Sequence, residues 1–130
     1  MWTGVTMHVL MIEDEPGISD FVRRGLQAEG FEVSCASDGI DGERKALADG
    51  VDLVVLDLSL PGRDGLDVLS AVRRGKPALP VIVISARAEA AARIMAFDAG
   101  ATDFLAKPFS FAELAGCVCA QLRRAEGHLK

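Results

Sequence analysis

Four short apolar runs in this chain each stop at charged or hydroxyl residues, and that repetition limits the fold more than any other feature. His8-Val9-Leu10-Met11-Ile12 leads into Glu13-Asp14-Glu15, and Val51-Asp52-Leu53-Val54-Val55-Leu56 leads into Asp57, with Pro61-Gly62 turning the chain soon after. Val81-Ile82-Val83-Ile84 ends in Ser85, and Thr102-Asp103-Phe104-Leu105-Ala106 ends in Lys107-Pro108. Aliphatic and β-branched runs bounded this way read as strands buried on both faces. Helical crossovers between parallel strands bring such C-terminal ends to one edge of the sheet, where open α/β folds hold their sites.

The segments between the runs supply the crossovers. Pro16 suits a first helical turn, and Ile18, Phe21, Val22 and Leu26 follow at helical spacing until Gly30. Phe31 to Cys35 alternates as a strand, and residues 40–48 make a short helix closed by Gly50. Leu66, Leu69 and Val72 mark a third helix, and Pro77 and Pro80 bracket the turn into the next strand. The alanine-rich residues 88–99 are helical by propensity and end at Gly100. The last helix stacks Phe111, Leu114, Ala115, Val118 and Leu122 on one face. Five strands alternating with five helices predict an α/β fold, a doubly wound five-stranded parallel sheet with right-handed crossovers.

At 130 residues, half of them hydrophobic, the chain supports one core. Residues 1–124 read as one domain, and the polar residues 125–130 as a tail or the start of a linker. A net charge of −5 gives no footprint for nucleic acid on this segment itself. No apolar stretch approaches the roughly 20 residues that span a bilayer. The N-terminus lacks the order of a signal peptide, so the expected setting is cytoplasmic, with no membrane partner. Cys35, Cys117 and Cys119 are too few and wrongly spaced for a disulfide framework and read as small residues at the core edge.

If Glu13, Asp14 and Asp57 converge, two carboxylates about 4 Å apart repel by roughly 4 kcal/mol at an effective dielectric near 20. Such a cluster takes up protons or a cation, and all-oxygen ligands favour Mg²⁺ or Mn²⁺ over zinc. Lys107 adds a compact positive charge suited to a phosphoryl group, and Ser85 a hydroxyl that can donate to its oxygens. No Ser-His-Asp or Cys-His set offers another nucleophile, whereas a carboxylate can itself form an acyl phosphate. Taken singly, these residues have plainer readings. Glu13 and Glu15 suit a helix N-terminus, Asp57 a turn, and Lys107 a solvated loop. Asp38, Asp41 and Glu43 read as a solvated helix start, and Met95 and Phe97 as core or partner surface alike. The joint placement favours the site.

With these residues in place, the chain resembles the receiver (CheY-like) domain of two-component response regulators over residues 7–124. The resemblance rests on Met11-Ile12-Glu13-Asp14-Glu15, on the stretch from Asp52 through Asp57-Leu58-Ser59-Leu60-Pro61-Gly62-Arg63-Asp64-Gly65, on Val83-Ile84-Ser85-Ala86, and on Gly100 through Lys107-Pro108-Phe109. It implies a flavodoxin-like sheet in the order 2-1-3-4-5. It further implies that Asp57 accepts a phosphoryl group from a sensor histidine kinase or phosphotransfer protein. Asp14 and Asp57 would ligate Mg²⁺ (or Mn²⁺) directly, Glu13 through water, and Ser59 through its carbonyl. Ser85, Ala86 and Lys107 would contact the phosphoryl group, Phe104 would fill an aromatic switch position usually held by tyrosine, and Pro108 would follow a cis bond. Such a domain promotes only its own phosphorylation and dephosphorylation and is not otherwise an enzyme. A stand-alone or degenerate receiver acting as a docking module is the alternative. A flavin- or nucleotide-binding domain of this topology would receive phosphate in its first strand–helix loop, where Glu13-Asp14-Glu15 would repel it, and a dehalogenase-type phosphatase would want an acid where Ser59 stands.

The pattern is nearest the winged-helix (OmpR/PhoB-like) branch, which implies control of transcription through an effector domain absent here, the only route to DNA. In that branch the fourth helix, fifth strand and fifth helix form a symmetric dimer face crossed by salt bridges. Arg93 and Glu113 match one pair, and Asp98 and Asp103 match acids of the face. Cys117 and Cys119 stand where relatives carry basic residues. The homodimer is therefore expected to be weak, since exposed ion pairs contribute only about 0–1 kcal/mol each.

Overall fold

A computed structural model describes residues 5–87 and 89–127. The elements alternate strictly: β1 (His8–Ile12), α1 (Pro16–Ala28), β2 (Glu32–Ala36), α2 (Gly39–Leu47), β3 (Leu53–Asp57), α3 (Gly65–Gly75), β4 (Val81–Ser85), α4 (Ala90–Ala99), β5 (Asp103–Ala106) and α5 (Phe111–Gly127). The strands form one parallel sheet in the order β2-β1-β3-β4-β5. All five residues of β3 and of β4 are buried, because helices cover both faces of these inner strands.

The side-chain alternation of each strand divides the core in two. Val9 and Met11 of β1, Leu53 and Val55 of β3, and Ile82 and Ile84 of β4 pack with Val22 and Leu26 of α1 and Leu114, Val118 and Leu122 of α5. Leu10, Ile12, Val54, Leu56, Val81 and Val83 face the other way, toward Ala46 of α2, Val68, Leu69 and Val72 of α3, and Ala96 of α4. In the first layer Gly25 of α1 makes room for Phe111 of α5, whose ring a Cβ at Gly25 would overlap. Phe21 meets the same ring edge-on, with centroids 6.2 Å apart.

Element boundaries depart from the sequence expectation by a residue or two. Phe31 is buried, but its N–H closes the end of α1 on the Leu26 carbonyl at 3.0 Å, so β2 begins at Glu32. Thr102 is tied to Val81 through its hydroxyl and backbone, and β5 begins at Asp103. α4 begins at Ala90; Ala88, expected to open it, lies outside the described residues. α5 continues through Gly127, so residues 125–127 extend the helix. Residues 128–130 of the expected tail lie outside the described residues.

Candidate functional site

Register fixes the site. β1 pairs with β3 from Val9 opposite Leu53 to Ile12 opposite Leu56, so Glu13-Asp14 and Asp57 leave the sheet side by side. Asp57 lies opposite Ile84 and Ser85 opposite Ala106, which brings Ser85 and Lys107 to the same edge. Glu13, Asp14 and Asp57 each offer a carboxylate oxygen, and these oxygens lie within 4.8 Å of one another. Glu13 and Asp57 are buried, and Asp14 is exposed at the mouth.

Lys107 is the cation of this cluster. Its Nζ lies 3.0 Å from Glu13 Oε1, 3.2 Å from Asp57 Oδ2 and 3.5 Å from Glu15 Oε1. Backbone groups fix the acids further: Ser59 N–H donates to Asp57 Oδ1 at 3.2 Å, and Glu15 N–H to Glu13 Oε2 at 3.2 Å. Burial pushes the Glu13 carboxyl up to about 7, with the neighbouring Asp57 adding to the rise and Lys107 opposing it. Lys107 is itself held above its ordinary range, because its contacts with Glu13 and Asp57 outweigh its desolvation, the largest single effect. The site therefore holds more negative charge than one ammonium balances.

The donor set is all oxygen and suits a hard divalent cation. A groove of about 880 Å³ opens beside Glu13 and Asp14, walled in part by Ser19, Arg23, Cys35 and Lys45. The arrangement thus combines a buried carboxylate, two further acids, an ammonium and a hydroxyl at one open edge.

The family model for the response regulator receiver domain matches residues 9–118, a span that contains this whole site. The chain belongs to that family. This receiver domain is 43% identical over 118 residues to the transcriptional regulatory protein HprR of Escherichia coli, covering 91% of this chain and 52% of HprR. It is 42% identical over 125 residues to the transcriptional regulatory protein PrrA of Mycobacterium tuberculosis, covering 95% and 54%. The chain thus spans about half the length of these curated relatives. Among solved structures, a CheY-like receiver domain protein from Methanospirillum hungatei shares the fold at a TM-score of 0.91 and 23% identity, covering 95% of this chain and 99% of that one.

The remaining expected residues fall in two groups. Ser85 is buried, and its Oγ accepts the Arg87 N–H at 3.0 Å. Ala86 is exposed and lines a small pocket with Lys107, Pro108 and Phe109, and the Lys107–Pro108 peptide is cis. Phe104 is buried opposite Val83, and the Arg93 guanidinium lies over its ring, 4.7 Å from the centroid.

Several of the expected interface residues make contacts within the domain. Glu113 forms a capping box: its carboxylate accepts Ser110 N–H at 2.9 Å while Ser110 Oγ accepts Glu113 N–H at 3.1 Å. The spacing Ser110-x-x-Glu113 announces this, although the sequence reading took Glu113 for its interface role alone. Cys117 packs against the α1–α5 layer, and burial, followed by the charge of Asp103, pushes its thiol up to about 11. Asp98 is exposed, and Asp103 accepts the Phe104 N–H at 2.8 Å. Asp38, Asp41 and Glu43 prove structural: Asp38 caps α2, Asp41 pairs with Arg44 and Lys45, and Glu43 pairs with Arg63.

Proposed function

We propose that this receiver domain takes a phosphoryl group onto Asp57 from the phosphohistidine of a sensor histidine kinase or phosphotransfer protein. One observation carries the reading: a buried carboxylate shares 4.8 Å of space with two other acids and lies 3.2 Å from the Lys107 ammonium. Glu13, Asp14, Asp57 and the Ser59 carbonyl would hold Mg²⁺ or Mn²⁺. When bound, the ion supplies positive charge for the oxygens of the transferred group.

In the transfer, an Asp57 carboxylate oxygen forms the O–P bond as the donor's N–P bond breaks. The donor imidazole keeps the bonding electron pair and is left neutral or takes up a proton. Lys107 neutralises the negative charge brought in beside Asp57. The Ser85 hydroxyl, turning from Arg87 N–H, donates to a phosphoryl oxygen, and its displacement changes the packing around the buried Phe104 ring. Water later cleaves the acyl phosphate, so the domain promotes only its own phosphorylation and dephosphorylation.

The matched relatives are transcriptional regulators roughly twice the length of this chain. The parallel reading is a cytoplasmic switch that controls transcription through an effector domain, with α4, β5 and α5 carrying the signal. Acetyl phosphate tests the core of the proposal. With Mg²⁺, intact-mass measurement should show one added phosphoryl group on the wild type and none on Asp57→Asn or in excess EDTA. Equal modification of the Asn variant would place the nucleophile elsewhere.

A further inference from the structure

The loop between β3 and α3, residues 58–64, carries Ser59, whose N–H holds Asp57 Oδ1 and whose carbonyl is the one backbone ligand assigned above to the metal. At its start a long hydrogen bond ties it to the sheet, from Leu58 N–H to the Ile84 carbonyl at 3.4 Å. Its far end is pressed onto its beginning: a Cβ at Gly65 would lie 2.5 Å from the Leu58 carbonyl oxygen. Asp64 Oδ1 accepts Leu66 N–H at 2.8 Å and caps α3 there.

The middle of the loop is held from outside, by the start of α2. Gly39 N–H donates to the Pro61 carbonyl at 3.0 Å. A Cβ at Gly39 would stand 2.5 Å from the Arg63 carbonyl oxygen, so the two backbones approach only because this residue is glycine. Asp38 and Ile40 flank Gly62, at 3.6 and 3.7 Å from where its Cβ would stand. One turn further along α2, Glu43 Oε1 meets Arg63 Nε at 2.5 Å. Both atoms are sealed from water and have no hydrogen-bond partner besides each other. Such a pair resists separation, because parting it leaves two buried charges uncompensated.

We propose that Glu43 and Arg63 are positioning residues for the acidic site: their ion pair straps α2 to the β3–α3 loop and thereby sets where Ser59 stands against Asp57. Neither side chain touches the ion; each acts through the loop, as groups that orient a metal ligand do. The metal half of this inference rests on the phosphoryl-transfer reading above, whereas the strap rests on contacts within the domain alone.

Mg²⁺ titration of the whole chain without phosphodonor, followed by the Asp57 and Ser59 amide shifts, reads the positioning. Glu43→Met and Arg63→Met should each raise the Kd about tenfold. The signs discriminate: if the two residues acted only through their charges, losing Glu43 would weaken binding and losing Arg63 would tighten it. The double variant should also be weakened about tenfold and not about a hundredfold, because the same strap is lost in all three. Asp41→Asn is the control, since Asp41 pairs with Arg44 and Lys45 of its own helix and not with the loop. At physiological salt, where exposed charges are screened, it should move the Kd by less than about twofold. Without any ion, Ser59 amide exchange should accelerate about tenfold in both strap variants and hold its rate in Asp41→Asn. A tighter Kd in Arg63→Met, wild-type Kd values in both strap variants, additive losses in the double variant, or an equal loss in Asp41→Asn overturns the inference. Wild-type amides that do not shift with Mg²⁺ count against the metal reading itself; the Ser59 exchange rates then decide the strap, and unchanged rates overturn it.

Discussion

Replacing Lys107 by methionine removes the ammonium from Glu13 Oε1 and Asp57 Oδ2 while keeping most of the stem's volume. The two carboxylate side chains are 0% and 3% exposed, so neither can turn to water in compensation. Taking one partner from a buried ion pair costs about 3–5 kcal/mol, because the remaining charge is left uncompensated. Glu13 recovers part of that by protonating. Burial already lifts it to about 7 against the pull of Lys107, and without Lys107 it rises further. The expected loss is therefore about 3 kcal/mol near pH 8 and about half that near pH 5.5, where Glu13 is neutral in both proteins. An unfolding entropy of about 2.1 cal/mol/K per residue makes each kcal/mol worth roughly 4 °C in a chain of this length. Thermal melts followed by near-ultraviolet circular dichroism in EDTA should show Lys107→Met lower by about 11 °C at the higher pH. Mg²⁺ at ten times its Kd should return about 1.4 kcal/mol, or roughly 5 °C. Equal melting at the higher pH, or a larger deficit at the lower one, would refute the reasoning.

The raised Glu13 pKa makes that group's contribution to the metal-free wild type largest in acid: it is complete below the unfolded value of 4.5 and is lost as pH rises through about 7. Denaturant titrations in EDTA should fall by up to about 3 kcal/mol across that window, and Glu13→Gln should flatten the slope. Gly25→Ala drives a methyl into the Phe111 ring; despite better helix propensity it should cost about 1–2 kcal/mol, read from the midpoint of urea unfolding. Sedimentation of the reduced, unphosphorylated protein should give a monomer or weak dimer, because Glu113 is engaged in its capping box and Cys117 brings no charge. A tight dimer joined through Arg93–Glu113 would contradict this.

Strand ends were legible because β3 and β4 are buried on both faces, which forces continuous apolar runs whose first polar residue marks the sheet edge. Their convergence followed from parallel topology, so Glu13, Asp14, Asp57, Ser85 and Lys107 could be placed together. Contacts between elements distant in sequence were not legible. The stacking of Arg93 on Phe104 and the hydrogen bond from Arg73 to the Gly100 carbonyl depend on how α4 lies against β5 and α3. Phe31 misled at the start of β2, since a buried aromatic can close a helix as well as open a strand. At Glu113 a local capping signal, Ser110-x-x-Glu113, was also present in the sequence and was not read.

Acyl phosphates are reduced by borohydride to an alcohol, which marks the modified side chain permanently. Treating the protein with acetyl phosphate and Mg²⁺, reducing it and mapping the peptides would locate the phosphoryl group directly. The buried, lysine-paired geometry predicts homoserine at position 57 alone, and only when Mg²⁺ is present. Reduction at position 13, 14 or 15, or at none of the acids of the cluster, would contradict the assignment of Asp57 as phosphoacceptor.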